Sequence, residues 1–188
     1  VVTPVANPLS GFAISGTSSL SVMTLINSSA TPQTVTYNVT PTAALCVGQS
    51  LVYSIIVNPS PNVVFSLPNQ SICTGSATNA VNLTSSTPNA SITWSASVPN
   101  GIGGFASLSG TNTIPAYTLT NGTAAPLTLT ITAISNTAGN VACPGVASTY
   151  TITVSPQPNV TVVVVNNALC SGNTVQISMT SPVAGTTF

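Results

Sequence analysis

LSGTNTIPAYTLTNGTAAPLTLTITA, residues 108–133, has an earlier counterpart in the same chain: ISGTSSLSVMTLINSSATPQTVTYNV, residues 14–39. Ser109, Gly110, Thr111, Asn121 and Pro126 fall 94 residues after Ser15, Gly16, Thr17, Asn27 and Pro32. In the later copy Leu127, Leu129 and Ile131 alternate with Thr128, Thr130 and Thr132. That period of two is the mark of a half-buried strand. A fixed internal period also means that the fold must be read repeat by repeat.

The repetition extends outward in both directions. CVGQSLVYSIIVNPSPNV from Cys46 matches CPGVASTYTITVSPQPNV from Cys143, now 97 residues apart, and NQSICTG (69–75) matches NNALCSG (166–172). ASITW, ending at Trp94, corresponds to AGTTF, ending at Phe188. After Trp94 the chain reads SASVPNGIGGFASLSG; joining Phe188 to Val1 gives VVTPVANPLSGFAISG, whose Gly-Phe-Ala landmark agrees to within one residue. The chain is therefore expected to be repeats of about 94 residues, circularly permuted. Residues 1–60 are the back of one repeat, 61–158 a complete one, and 159–188 the front of a third. Val1 and Phe188 then mark an assembly junction.

TYTITV alternates like PLTLTITA, and AVNLTS, SITWSA, AYTLTN and NVVFSL supply further short strands between Pro, Gly and Asn clusters. No segment has a helical period. About seven short strands in roughly 95 residues predict an all-β fold of tandem immunoglobulin-like sandwiches, with Trp94 in the core. NPSPN (58–62) and SPQPN (155–159) read as short stiff linkers. The Thr-x-Thr arrays read as the solvent faces of strands.

Composition narrows function. The chain has no Lys, Arg, Asp, Glu or His, where an ordinary domain has about 25% charged residues. The abundant Asn raises the alternative that the near-isosteric Asp occupies some of these positions. Without cations nothing neutralises phosphates, so nucleic acid is not an expected partner. Without His or carboxylates the usual acids, bases and metal ligands are missing, so neither an enzyme nor a cofactor is expected. No apolar run approaches the ~18 residues of a spanning helix, and 15 Pro with 5% aromatics argue against a membrane barrel. A chain of zero net charge has no self-repulsion, which favours self-association. The first residue is Val, consistent with a processed product or a window on something longer.

PNVVFSLPNQSICTG, ITW, LSGTNTIPAYTLTNGTAAPLTLTITA and CPG…STYTITVSPQP together resemble the PKD-like domain. That family occurs in tandem in very large secreted surface proteins of Bacteroidetes-type bacteria. The resemblance implies a secreted β-sandwich with spacer, adhesive or filament roles and no catalytic motif. Four cysteines, Cys46, Cys73, Cys143 and Cys170, are disulfide candidates in an exported chain. Three pairings are open, and two Cys per domain in the family favours Cys73–Cys143. Seven Asn-x-Ser/Thr sequons, at Asn27, Asn38, Asn69, Asn82, Asn89, Asn121 and Asn159, read as chance in so Asn-, Ser- and Thr-rich a chain. The expected function is an extracellular filament or stalk, polymerised head to tail by completing half-domains between copies. The alternative is an adhesin that binds carbohydrate or another cell surface.

Overall fold

A computed structural model of the protein describes residues 2–3, 8–138 and 142–188. Among these the structure is all-β, with no helix. Contacts group the chain into two compact units: residues 1–64, 83–93 and 133–148, and residues 65–82, 94–132 and 149–188. This is a grouping by contact and differs from the bounds expected from the repeat pattern, 1–60, 61–158 and 159–188. Strand Leu127–Asn136 runs through both units, changing at Ala133.

The complete repeat has two main sheets. One is five-stranded, in the order Ser109–Thr111, Ser91–Ser97, Leu127–Asn136, Ser148–Ser155, Gln70–Cys73. The other is three-stranded: Thr113–Ile114, Val81–Thr84, Val64–Phe65. The period-two reading holds in detail. Leu129, Ile131, Tyr150, Ile152 and Val154 are buried, while the intervening Thr side chains are exposed or half-buried. Phe65 of the smaller sheet lies 5.2 Å from Tyr150 of the larger, ring centre to ring centre. Trp94 is buried as expected, and its Nε1 donates to Thr113 O at 3.0 Å. That bond is what a buried indole requires. Phe105 stands between Trp94, edge-on at 6.5 Å, and Tyr117 at 4.4 Å.

The Gln70–Cys73 strand adds to the last strand in parallel, with Ile152 opposite Gln70 and Ser155 opposite Cys73. Cys73 O then accepts from Ser76 N at 3.1 Å, closing a turn. Its third residue, Gly75, has φ +82°, as a type II turn demands. The same turn recurs at Cys170, where Asn173 N donates to Cys170 O at 3.1 Å and Gly172 has φ +93°.

Within residues 1–60, expected from the sequence to be the back of a repeat, the described residues form a second set of strands. Gln33–Val39 pairs antiparallel with Leu51–Val57, and Val2–Thr3 pairs with Gln33–Val39 on its other side. Leu9, Val35 and Tyr37 form a small core with Phe12, Met23, Ile55 and Val57 packed against it. Near the other end, Thr161–Val164 pairs with Ile177–Thr180 as an antiparallel ladder. The first predicted linker is more than a spacer. Pro59 and Pro61 are fully buried, and Ser60 Oγ reaches Pro144 O at 3.5 Å.

Candidate functional site

The repeat carries a side-chain staple that appears twice. Asn121 Nδ2 donates to Ala125 O and to Val154 O, both at 2.8 Å. Its Oδ1 accepts from Thr123 N at 2.9 Å and Thr123 Oγ1 at 2.7 Å. Asn27 does the same: Nδ2 to Thr31 O and Val57 O at 2.8 Å, Oδ1 from Ser29 N at 2.9 Å and Ser29 Oγ at 2.7 Å. Each Asn thus closes an Asx turn and ties it to the last strand of the repeat. The sequons at Asn27 and Asn121 are therefore not chance spacings, which corrects the reading from composition. The Ser or Thr two residues on completes the staple, and both amide hydrogens are already used. Those amides also donate to carbonyl oxygens, a role that ionised Asp cannot fill.

A second device is shared. Gly104 has φ +87° and a Cβ there would overlap the Thr118 carbonyl; Gly11 has φ +81° and stands against the Thr24 carbonyl in the same way. Only glycine allows both the conformation and the approach. Each places the phenylalanine after it, Phe105 or Phe12, against core residues.

What differs between equivalent positions is burial. Tyr150 is 1% exposed and its equivalent Tyr53 63%; Trp94 is 4% exposed and Phe188 60%. Leu83 is 5% exposed and Ile177 55%. Val63 and Val81 are buried, whereas Val160 and Val175 are exposed. Each exposed residue belongs to 1–60 or 159–188, and each buried one to the complete repeat. Of the expected junction residues, Phe188 is exposed and Val1 lies outside the described residues.

Two grooves flank the Pro-rich segments. One, of about 500 Å³, is lined by residues 121–124 and 156–159, Pro182 and Val183, with Thr74 at its edge. The other, of about 240 Å³, shares the equivalent positions Ala30, Pro59, Pro88 and Asn89 and is otherwise lined by different residues, among them Thr31, Pro32 and Asn58. Among the described residues no aromatic side chain lines either groove. Burial raises the Tyr150 phenol above its ordinary value, and the Gln70 hydrogen bond opposes that rise. No cluster of metal-ligating side chains occurs among the described residues.

Cys46 and Cys73 lie on strands, Cys143 and Cys170 lie outside any strand, and all four are free. Cys46 faces Ala43 across a short hairpin, Cys73 is opposite Ser155, and Cys170 opens a turn. Cys143 is half-buried, and its N–H donates to Thr137 Oγ1 at 2.8 Å. The favoured pair, Cys73 and Cys143, is not bridged in the structure.

The family pattern of the PKD-like domain matches residues 5–61 and 70–158. The chain belongs to the PKD-like domain family. PKD-like domains are immunoglobulin-like β-sandwiches, typically parts of extracellular or surface proteins and generally non-catalytic. No curated protein matches the chain. Within the PKD-like repeat, sequence reasoning missed the Asn staple and the glycine approach. Their signal was present, since Asn27/Asn121 and Gly-Phe-Ala are the landmarks that align the two copies.

Proposed function

We propose that the protein is a structural repeat of an extracellular filament or stalk, extended head to tail. Residues 159–188 of one copy complete a sandwich with residues 1–60 of the next, whether Phe188 joins the next Val1 covalently or only abuts it. The observation that carries this reading is the burial contrast between equivalent positions, Tyr53 against Tyr150 and Phe188 against Trp94. A fully buried aliphatic or aromatic side chain contributes about 1.5–3 kcal/mol. Tyr53, Val160, Val175, Ile177 and Phe188 together represent a drive of order 10 kcal/mol before the cost of association. A contact between unlike faces does not close on itself, so it propagates. The carbohydrate-binding alternative lacks comparable support, because neither groove offers an aromatic platform.

Sedimentation and electron microscopy of the purified chain test the proposal. The expected result is concentration-dependent growth in steps of 18.7 kDa toward linear polymers. A chain that stays a closed monomer at every concentration, with Tyr53 shielded from solvent, overturns it.

A further inference from the structure

Resting on the head-to-tail reading, the repeat geometry also specifies a register for the junction. In the complete repeat Gln70–Cys73 pairs in parallel with the last strand as Ile152↔Gln70, Thr153↔Ser71, Val154↔Ile72 and Ser155↔Cys73. Both partners recur 97 residues away, one as residues 55–58 and the other as residues 167–170. Residues 55–58 include the end of the Leu51–Val57 strand.

We propose that residues 167–170 of one copy add in parallel to the Leu51–Val57 strand of a second copy, with Ile55 opposite Asn167, Ile56 opposite Ala168, Val57 opposite Leu169 and Asn58 opposite Cys170, and that Phe188 then stands edge-on to Phe12.

The side chains that make these contacts in the complete repeat keep their chemistry at the junction. Gln70 Nε2 donates to the Tyr150 hydroxyl at 2.9 Å, and that hydroxyl donates to Pro68 O at 2.9 Å. Their equivalents are an amide, Asn167, and a phenol, Tyr53. Thr74 Oγ1 accepts from Asn121 N at 2.8 Å; its equivalent Ser171 keeps the hydroxyl and meets Asn27 N. Gly75 N donates to Leu119 O at 2.7 Å, and Gly172 and Leu25 hold those places. Trp94 stands edge-on to Phe105 at 6.5 Å, and Phe188 with Phe12 supplies the same pair of rings. A two-residue slip would preserve the faces of the strands but would separate Tyr53 from Asn167 and Ser171 from Asn27. Those polar contacts select one register.

Cross-linking reads this register directly. Ser71 is exposed and Thr153 half-buried, both on the outward face of the complete repeat, so Ile56→Cys with Ala168→Cys tests an outward pair. Asn58→Cys against the native Cys170 is a second, independent pair, with the unaltered chain as thiol background. Under mild oxidation both should give reductant-sensitive ladders in multiples of 18.7 kDa, with peptide masses mapping the links to 56–168 and 58–170. Phe188→Ala should raise the concentration needed for assembly at least tenfold. Polymers that form by sedimentation but give neither link overturn the register while leaving head-to-tail assembly intact. Absence of any polymer overturns both, and so does a link that closes within one chain.

Discussion

The Asn staple makes a quantitative prediction about Asn121→Asp. The native amide donates to two carbonyls, and one of these hydrogen bonds, to Val154 O, is buried. Asn121→Ala removes four hydrogen bonds. The Ala125 carbonyl and the Thr123 groups can turn to water, so the main loss is the stranded Val154 carbonyl, and the total is about 2–4 kcal/mol. Asp is nearly isosteric but is costlier at neutral pH, because its charged oxygen faces two carbonyl oxygens. An uncompensated buried charge costs about 3–5 kcal/mol, a large part of the ~5–15 kcal/mol that holds a domain folded. The sign of the pH dependence follows. The folded variant favours the protonated form of the introduced carboxyl, which can donate one bond, so its folded pKa lies above the unfolded value of about 3.9. The unfolded state then binds fewer protons than the folded state between the two values, and stability rises as pH falls through that window. Trp94, the single tryptophan, is buried in the same repeat and reports its unfolding. With an m-value of about 1 kcal/mol/M, Asn121→Asp should lower the urea midpoint by roughly 3–5 M at pH 7 and recover part of it near pH 4. A variant as stable as the native chain at pH 7 would show that the staple's amide donors do not matter.

Native stability should be flat from pH 4 to 9, with no side-chain carboxylate or histidine to titrate. It should fall above about pH 10, where the unfolded tyrosine ionises but the raised Tyr150 phenol resists; a sharp acid transition would contradict this. Gly104→Ala forces a Cβ onto the Thr118 carbonyl at φ +87° and should cost about 2–4 kcal/mol in the Trp94-reported transition, whereas a neutral result would place the strain elsewhere. Native alkylation should modify all four thiols, the half-buried Cys143 slowest, with no effect of reductant on the unfolding midpoint. A native peptide map linking Cys73 to Cys143 would instead support the pairing suggested by the family resemblance.

How much of this was legible depended on whether a residue's role was local. Leu129 and Ile152 sit where the period-two alternation put them, because alternation is a property of one strand. Trp94 was legible from the order of strands, and its core position holds. The Asn27 and Asn121 staples were misread, because the sequon pattern records only the Ser or Thr two residues on. The partner that gives each staple its meaning, Val57 or Val154, lies 30 or 33 residues away. The linker NPSPN was read from Pro content alone, which says stiff but not buried; its contact at Pro144 lies 84 residues away in sequence. Nothing in the sequence sets Tyr53 apart from Tyr150; their exposures, 63% and 1%, differ only in the structure.

The absence of charge is a separate choice from the fold, and two asparagines show it. Asn62 Oδ1 accepts from Ser85 Oγ, Ser86 N and Ser86 Oγ, and Asn69 Oδ1 accepts from Thr151 N at 3.0 Å. These contacts use only the oxygen, so Asp would serve, and charge-assisted bonds are the stronger kind. Repulsion along a filament does not account for the preference. A repeat of this length is roughly 30–40 Å long, while the screening length at physiological salt is about 8 Å, so equivalent charges in successive repeats hardly interact. Screening is ineffective only where surfaces come within a few ångströms, which happens between polymers lying side by side. Neutrality should therefore act on lateral association. Asn62→Asp with Asn69→Asp keeps the hydrogen bonds and adds two negative charges per copy. At low salt such a variant should form single filaments that no longer bundle, and about 0.5 M sodium chloride should restore bundling as the screening length falls to roughly 4 Å. Turbidity and electron microscopy separate the two states. Loss of the filaments themselves, with Trp94-reported stability unchanged, would show that charge acts at the head-to-tail junction instead.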